Sequence, residues 1–489
     1  AASATAAPLA RVELPAGHGL EVHASIALPS TSPDHAAVLT ASEEGSLRWL
    51  LVRNAGGGKE REDRNSTLSA SGLVRALSDG SALRACASVR TPGSSKDDED
   101  FLVFASGVRA YVTAWRAWWS GGSGSGGGGE EEGGKEKGEK VVEVGAKKTT
   151  TAAAKKKHFA PPRLHTAWLS ASSAGTRSGR AARQASSRSA KAEANPRALH
   201  AAAFEIDVGE EEEEERATKK KGVVAVLVAT SLGDVEAVAF DPASGEFLPS
   251  GASGSSDPVR LECHEGPALC VAHLRTKNEN NGLAFSGSTD GAVAVWSGAE
   301  ISRALLLPPS PSLSAAAVVR PLALLPALHQ SGVNCLAVAA LEEEKKQDSK
   351  SVLLVTGGDD GALRATLLSV SPPSSSEPRR PEVSVLALTS VEGAHSSCSL
   401  RGAWISGEIE GKSAEVVTVG LDQRLRGWSL SISASIDKSE NKSETEKGPP
   451  SLSVSLRPLW SVPVQVPAPE SLAVLPERGL VSVSGRGTQ

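Results

Sequence analysis

A chain of 489 residues with 52 Lys and Arg against 57 Asp and Glu has a formal net charge of −5, so bulk charge singles out neither nucleic acid nor acidic lipid as a partner. Apolar residues make up 39%, mostly Ala, Val and Leu with one Tyr and seven Phe, and 48 glycines punctuate them; this supply suits short strands and many turns. No run approaches the roughly eighteen apolar residues of a membrane span, and no charged segment leads into an apolar one at the N-terminus, so neither a membrane helix nor a secretory signal is expected.

Taken in chain order, one unit recurs: an apolar run, a small Ser/Thr/Gly stretch, a tight turn, then an alternating strand. The first copy runs from Val38 to Trp49 and turns at Glu44-Gly45, with His18 upstream. The second spans Phe101 to Trp115 around Gly107-Val108-Arg109, and the third Val223 to Phe240 around Gly233-Asp234. Leu283 to Trp296 turns at Asp290-Gly291, Val352 to Arg364 at Asp360-Gly361, and Val416 to Trp428 at Asp422. The last copy, Gly479 to Gly487, turns at Ser484-Gly485-Arg486. Asp-Gly between alternating apolar runs is the strongest short-range hairpin signal, because tight turns need residues that tolerate positive φ. The reading is an all-β chain of about seven units.

Between the second and third units lies a stretch of different character. Residues 119–197 are Gly/Ser-rich, then Glu/Lys-rich, then basic, and read as an insert between two units at 1–118 and five at 198–489, the last of them incomplete. From Ala146 to Ala192 there are eleven Lys or Arg and no acid, among them Lys155, Lys156, Lys157, Arg177, Arg180 and Arg183. Such a tract reads as a solvated loop or, functionally, as an RNA tether that releases counterions on binding. The acidic run Glu210 to Glu215 reads as solubilising. Shorter disordered loops are expected near 371–381 and 438–450, at a cost of only about 0.6 kcal/mol per doubling of loop length.

Four units carry an upstream histidine at a similar distance from the turn acid: His18 before Glu44, His264 before Asp290, His329 before Asp360, and His395 before Asp422. Trp296 and Trp428 each follow their turn acid by six residues. Buried polar groups need partners, and a His, a strand Ser or Thr, the turn carboxylate and the Trp can satisfy one another. This pattern resembles WD40 repeats, four strands to each propeller blade, although the terminal Trp-Asp dipeptide is missing. His329-Gln-Ser-Gly-Val-Asn with Gly357-Gly-Asp-Asp-Gly361, Ser286-Gly-Ser-Thr-Asp-Gly291 through Trp296, Gly420-Leu-Asp-Gln-Arg-Leu425 and the closing Pro476-Glu-Arg-Gly with Ser484-Gly-Arg-Gly487 resemble one family in particular, WD repeat-containing protein 6. That resemblance implies a WD40-type β-propeller serving as the non-catalytic regulatory subunit of a tRNA 2′-O-ribose methyltransferase. It implies two partners, the catalytic methyltransferase subunit and tRNA, with the wobble nucleotide presented for methylation and no cofactor on this chain. The histidines, turn acids and tryptophans are then scaffold positions, while Arg424 and Arg426 beside a turn join the basic insert as candidate RNA contacts. The alternative is a WD-repeat interaction scaffold in signalling or trafficking with no RNA role.

Other chemistry is poorly supported. Cys263-His264 with Cys270-x-x-His273 offers soft ligands, but His264 already belongs to the repeat pattern and Cys270 and His273 fall on one strand, so no metal is expected. Gly407-Glu-Ile-Glu-Gly411-Lys412-Ser413 is one residue short of a phosphate loop, carries two acids and leads into a strand, so a hairpin is expected. No Gly-rich dinucleotide unit is present, and no catalytic role is expected. Five cysteines, an odd number at irregular spacing, fit reduced thiols in the cytosol or nucleus, and of these a cytoplasmic location is expected. The absence of methionine reads as a fragment of a longer protein, with more repeats upstream, and leaves ring closure open.

Overall fold

A computed structural model describes residues 21–28, 35–53, 67–75, 81–94, 99–108, 111–119, 165–168, 196–206, 222–248, 258–275, 282–306, 318–341, 350–371, 380–396, 399–406, 408–409, 413–435, 451–476 and 480–486. The first antiparallel sheet contains β1 (Val22–Leu28), β2 (His35–Ser42), β3 (Ser46–Arg53) and β4 (Thr67–Arg75) in that order. The second contains β5 (Leu83–Arg90), β6 (Glu99–Gly107), β7 (Tyr111–Trp119) and β8 (His165–Trp168). The third is β9 (Ala198–Glu205), β10 (Val224–Thr230) and β11 (Val235–Asp241), with β12 (Glu246–Leu248) and β13 (Val259–Leu261) both on β11. The fourth starts β14 (Ala268–Leu274), β15 (Leu283–Ser288), β16 (Val293–Ser297); after β17 (Val318–Val319), which joins β13, it ends with β18 (Ala323–Leu325). The fifth is β19 (Val333–Leu341), β20 (Lys350–Gly358), β21 (Leu363–Ser371) and β22 (Glu382–Val391). The sixth is β23 (Leu400–Ile405), then, beyond β24 (Glu408–Ile409), β25 (Ser413–Gly420), β26 (Arg424–Ser435) and β27 (Ser451–Pro463). The seventh pairs β28 (Pro469–Leu475) with β29 (Leu480–Gly485).

The innermost strands β1, β5, β9, β14, β19, β23 and β28 each contact the next, and β28 returns to β1. The inner ring is therefore closed, a question the sequence leaves open. The seam is fastened by the Ser25 N–H, which donates to Ser471 Oγ at 3.0 Å, and by the Ser25 hydroxyl, 3.1 Å from the same oxygen.

Why the middle strands are continuous apolar runs is visible in β10, where every residue of Val-Ala-Val-Leu-Val-Ala-Thr is buried. Val224, Val226 and Val228 face the second sheet while Ala225, Leu227 and Ala229 face the fourth. A strand covered on both faces has no reason to alternate. Seven apolar clusters fill the ring, one between each pair of neighbouring sheets.

Six of the seven hairpins expected from the turn signals fall within one sheet; the seventh does not, because Ser484 and Gly485 lie in β29, which pairs back with β28, and residues 487–489 lie outside the described residues. Three further departures follow. His165–Trp168 lies inside the stretch read as an insert, yet pairs with Tyr111–Ala114 as the outer strand of the second sheet; four residues are too few to display a period. Helix α1 (Gly298–Leu306) intervenes between β16 and β18, burying Ile301 and Leu305 against the third sheet. Glu408–Ile409, within the phosphate-loop lookalike, pairs in parallel with the end of β19. The stretches 120–164, 169–195, 372–379 and 436–450 lie outside the described residues. No helix among the described residues is long and apolar enough to cross a membrane.

Candidate functional site

His264, His329 and His395 lie beside the turn acids Asp290, Asp360 and Asp422, where the hairpin turns of the fourth, fifth and sixth sheets adjoin the loops entering their inner strands. In the sixth sheet His395 Nδ1 is 2.7 Å from Asp422 Oδ1 and Nε2 is 2.9 Å from Thr418 Oγ1. The Trp428 indole N–H donates to the same hydroxyl at 2.9 Å. One proton arrangement satisfies the whole chain: Trp428 donates to Thr418, Thr418 to His395 Nε2, and His395 Nδ1–H to Asp422. The carboxylate also accepts from the Ser396 and Arg424 N–H groups and from Arg426 at 3.0 Å. Burial lowers the His395 pKa and keeps the ring neutral; it works against ionised Asp422, but His395 and the surrounding donors outweigh it and hold that carboxyl below its usual range.

The fifth sheet repeats the construction without the indole. His329 Nδ1 lies 2.9 Å from Asp360 Oδ1 and Nε2 2.9 Å from Thr356 Oγ1, while Arg364 donates to Asp360 at 2.8 Å. Thr366 stands where Trp428 stands in the next sheet, and its buried hydroxyl has no hydrogen-bond partner. In the fourth sheet Trp296 donates to Ser286 Oγ at 3.0 Å and His264 Nε2 is 2.8 Å from it. His264 Nδ1 is 3.6 Å from Asp290, too far for a hydrogen bond. Burial opposes ionisation of Asp290 too, yet the neighbouring imidazole and the Ala292 and Glu265 N–H groups bring its pKa to about 2. Gly45, Gly291 and Gly361 take φ of 72°, 77° and 72° at the turns; Gln423 takes the matching place at 55°.

The chain is a WD40-type β-propeller.

Each sheet is a blade, and the His, Ser/Thr, Asp and Trp groups tie the hairpin turn of a blade to the loop entering it. Turns also bind the next blade: His329 N–H donates to Gly291 O at 3.0 Å. Sequence patterning missed Arg364, whose guanidinium does for Asp360 what Arg426 does for Asp422; both lie four residues after their acid. Glu44 occupies the turn of blade 1, where Ser42 and Ser46 hydroxyls pair at 2.9 Å. His18, Lys155, Lys156, Lys157, Arg177, Arg180 and Arg183 lie outside the described residues. Of the remaining RNA-contact candidates, Arg426 is committed to Asp422 and Arg424 donates from Nε to Ser461 Oγ at 2.8 Å. Blade 3 lacks the network, because Val228, Leu232 and Val238 stand at its Ser, Asp and Trp positions.

The propeller encloses a central channel with a cavity of about 590 Å³. Every inner strand carries a β-bulge at its second residue, which is skipped in the pairing with its neighbour. A bulge re-aims a side chain. Here the skipped residues include His23, Arg84, Asn334, Arg401 and Glu470, and all line the channel. Leu199 and Leu269, from blades 3 and 4, complete the set. Burial lowers the His23 pKa, with Arg84 adding to the effect; burial pushes Glu470 up despite the nearby Arg401. Period-two reading of the strands could not find this ring, because a bulge breaks the period.

No family model matches the chain, and no curated protein matches it either. Solved structures similar to it include the WD40 repeats of RRP9, at 13% identity and TM-score 0.40, covering 96% of this chain and 88% of that one. Another is U3-55K, at 12% identity and TM-score 0.40, covering 96% and 90%. A chain of the Chaetomium thermophilum Polycomb Repressive Complex 2 bound to GSK126 is similar at 11% identity and TM-score 0.49, covering 98% and 95%.

Proposed function

We propose that the propeller is a non-catalytic docking subunit in the cytoplasm that binds a tRNA 2′-O-ribose methyltransferase and presents tRNA for modification of the wobble nucleotide. The observation that carries this reading is the set of segments resembling the WD repeat-containing protein 6 family, among them the strand-turn-strand segment Ser286 to Trp296 of blade 4, the loop His329 to Asn334 that enters blade 5, and the turn Gly420 to Leu425 of blade 6. Their polar groups are spent on holding turns and entry loops together, which is what a scaffold needs from them. A rigid platform that holds enzyme and RNA in one geometry converts a rare encounter into an effectively intramolecular step. The catalytic partner brings S-adenosylmethionine; this chain supplies orientation.

Purification of the intact protein from its own cells, with the methylation state of the tRNA wobble ribose measured after gene disruption, tests the proposal. Co-purification of a methyltransferase together with loss of that methyl group is expected. Unchanged tRNA with a different set of partners would move the assignment to a scaffold of signalling or trafficking. The purified chain alone should not methylate tRNA.

A further inference from the structure

A backbone bond pins the entry loop of a blade to its turn: the Glu43 N–H donates to Glu21 O at 2.8 Å in blade 1, and the Asp359 N–H to Gly332 O at 2.9 Å in blade 5. The bulge residues His23 and Asn334 also match, each lying two residues after Glu21 or Gly332. Side chains at these three positions converge. In blade 5 the Asn334 amide donates to Asp359 Oδ1 at 2.7 Å, and a Cβ at Gly332 would stand 3.3 Å from Asp359 Oδ2. Blade 1 fills the same positions with Glu21, His23 and Glu43, and one ligating atom of each lies within 4.8 Å of the other two. Two carboxylates that approach so closely repel one another unless a cation joins them. His23 Nε2 is buried without a hydrogen-bond partner, a state that asks for an explanation. Arg486, on a side chain 74% exposed, stands 4.0 Å from Glu21, beyond hydrogen-bond reach.

We propose that Glu21, His23 and Glu43 bind a zinc ion, which ties the entry loop of blade 1 to its turn. An imidazole nitrogen and two carboxylates are donors that zinc accepts in four-coordinate sites, with water in the remaining position. Mg2+ and Ca2+ take oxygen ligands, so the imidazole turns the site away from them. Glu43 is exposed and has room to rotate. A small rotation brings the donors to the roughly 3.3 Å separation of ligands held ~2.0–2.1 Å from a tetrahedral zinc. These residues form no sequence motif, because Glu43 joins the other two only through the pinned turn, and His23 is placed by a bulge. They are distinct from the Cys263-to-His273 group, the metal ligands that the sequence offers at short spacing. The inference is independent of the methyltransferase reading.

Calorimetric titration of zinc into the full chain, stripped of metal by a chelator, tests the proposal. A saturable site of micromolar or tighter affinity is expected, which Mg2+ and Ca2+ do not fill. Glu43→Gln and His23→Gln should each weaken it by about tenfold or more, since losses in the shell beyond the ligands already cost that much. Cys263→Ser should leave it unchanged. Cobalt(II) in place of zinc should give visible d–d bands without the charge-transfer absorption of a thiolate ligand. Metal-free Glu43→Gln should melt no lower than the metal-free parent, because a like-charge contact is removed; lost zinc binding then cannot come from misfolding. Zinc held equally by the parent, Glu43→Gln and His23→Gln would overturn the proposal, as would its loss in Cys263→Ser. So would thiolate absorption in the cobalt form, or absence of binding at submillimolar zinc.

Discussion

Blades 4, 5 and 6 and the seam between blades 7 and 1 close one ring by different means. In the first region, turn, entry loop and strand are tied by His, Ser/Thr and Asp groups, and the clusters between blades include Phe285, Leu354, Leu367 and Trp428. At the seam the buried cluster is Val38 and Leu475 with Ala27 packed against it, and two serines carry the inner-strand contact. Blade 7 has two strands among the described residues, so less apolar surface is available there. Polar networks accordingly sit where packing is already dense. Cohesion at the seam rests on few side chains, so opening of the ring is expected to begin there.

The largest expected effect breaks the strong side of this comparison. Thr418→Val keeps the shape but strands the Trp428 N–H and His395 Nε2, and should destabilise the fold by about 2–4 kcal/mol; chemical denaturation reads it, and a change below half that range would remove the network from the account of stability. Leu475→Ala should cost about 2 kcal/mol, the low end for a buried leucine, because its cluster is small. Its mark should be local: faster amide exchange in β1 and β28 before the blades around β20 and β25 respond. Uniform acceleration across all blades would erase the distinction between arc and seam.

Acidification sharpens the comparison through the histidines. The folded-state pKa values of His329 and His395 lie below the ordinary 6.5, so as pH falls through that value the unfolded chain takes up protons first. Stability conferred by these neutral rings is present above about pH 6.5 and declines below it, by at most about 1.4 kcal/mol per residue per pH unit. Asp360 and Asp422 are depressed, so their contribution is present above their unfolded values and is lost at still lower pH. Urea midpoints at pH 7.5 and 5.5 should therefore differ, and a double His329→Gln, His395→Gln variant should shrink the difference. The smallest effect is expected at Thr366, where Val replaces an unpartnered buried hydroxyl by a methyl group; Thr366→Val should be neutral or stabilise by up to about 1 kcal/mol.

Much of the architecture was legible as turn chemistry. Glu44-Gly45, Asp290-Gly291 and Asp360-Gly361 mark hairpins because the second residue must adopt positive φ, a requirement local to four residues. The partnership of His395 with Asp422 was legible as well, since the repeated spacing stood out from one unit to the next. Less was legible of what surrounds them. Arg364 and Arg426 repeat four residues after their acids, a spacing that acquires meaning only once the ion pairs are seen, and strand β8 inside a low-complexity stretch carries no periodic signal.

By itself the amino-acid order determined where the chain turns, which strands pair as hairpins, and which polar residues meet within a blade, because those interactions run between near neighbours or repeat at a fixed interval. Only the tertiary structure decided that β28 meets β1 and that residues as distant as Arg84 and Arg401 share one mouth with Glu470. The reason is geometric: ring closure and seven inward bulges follow from packing neighbouring blades through the whole circle, and no local stretch of chain encodes the sum of those packing angles.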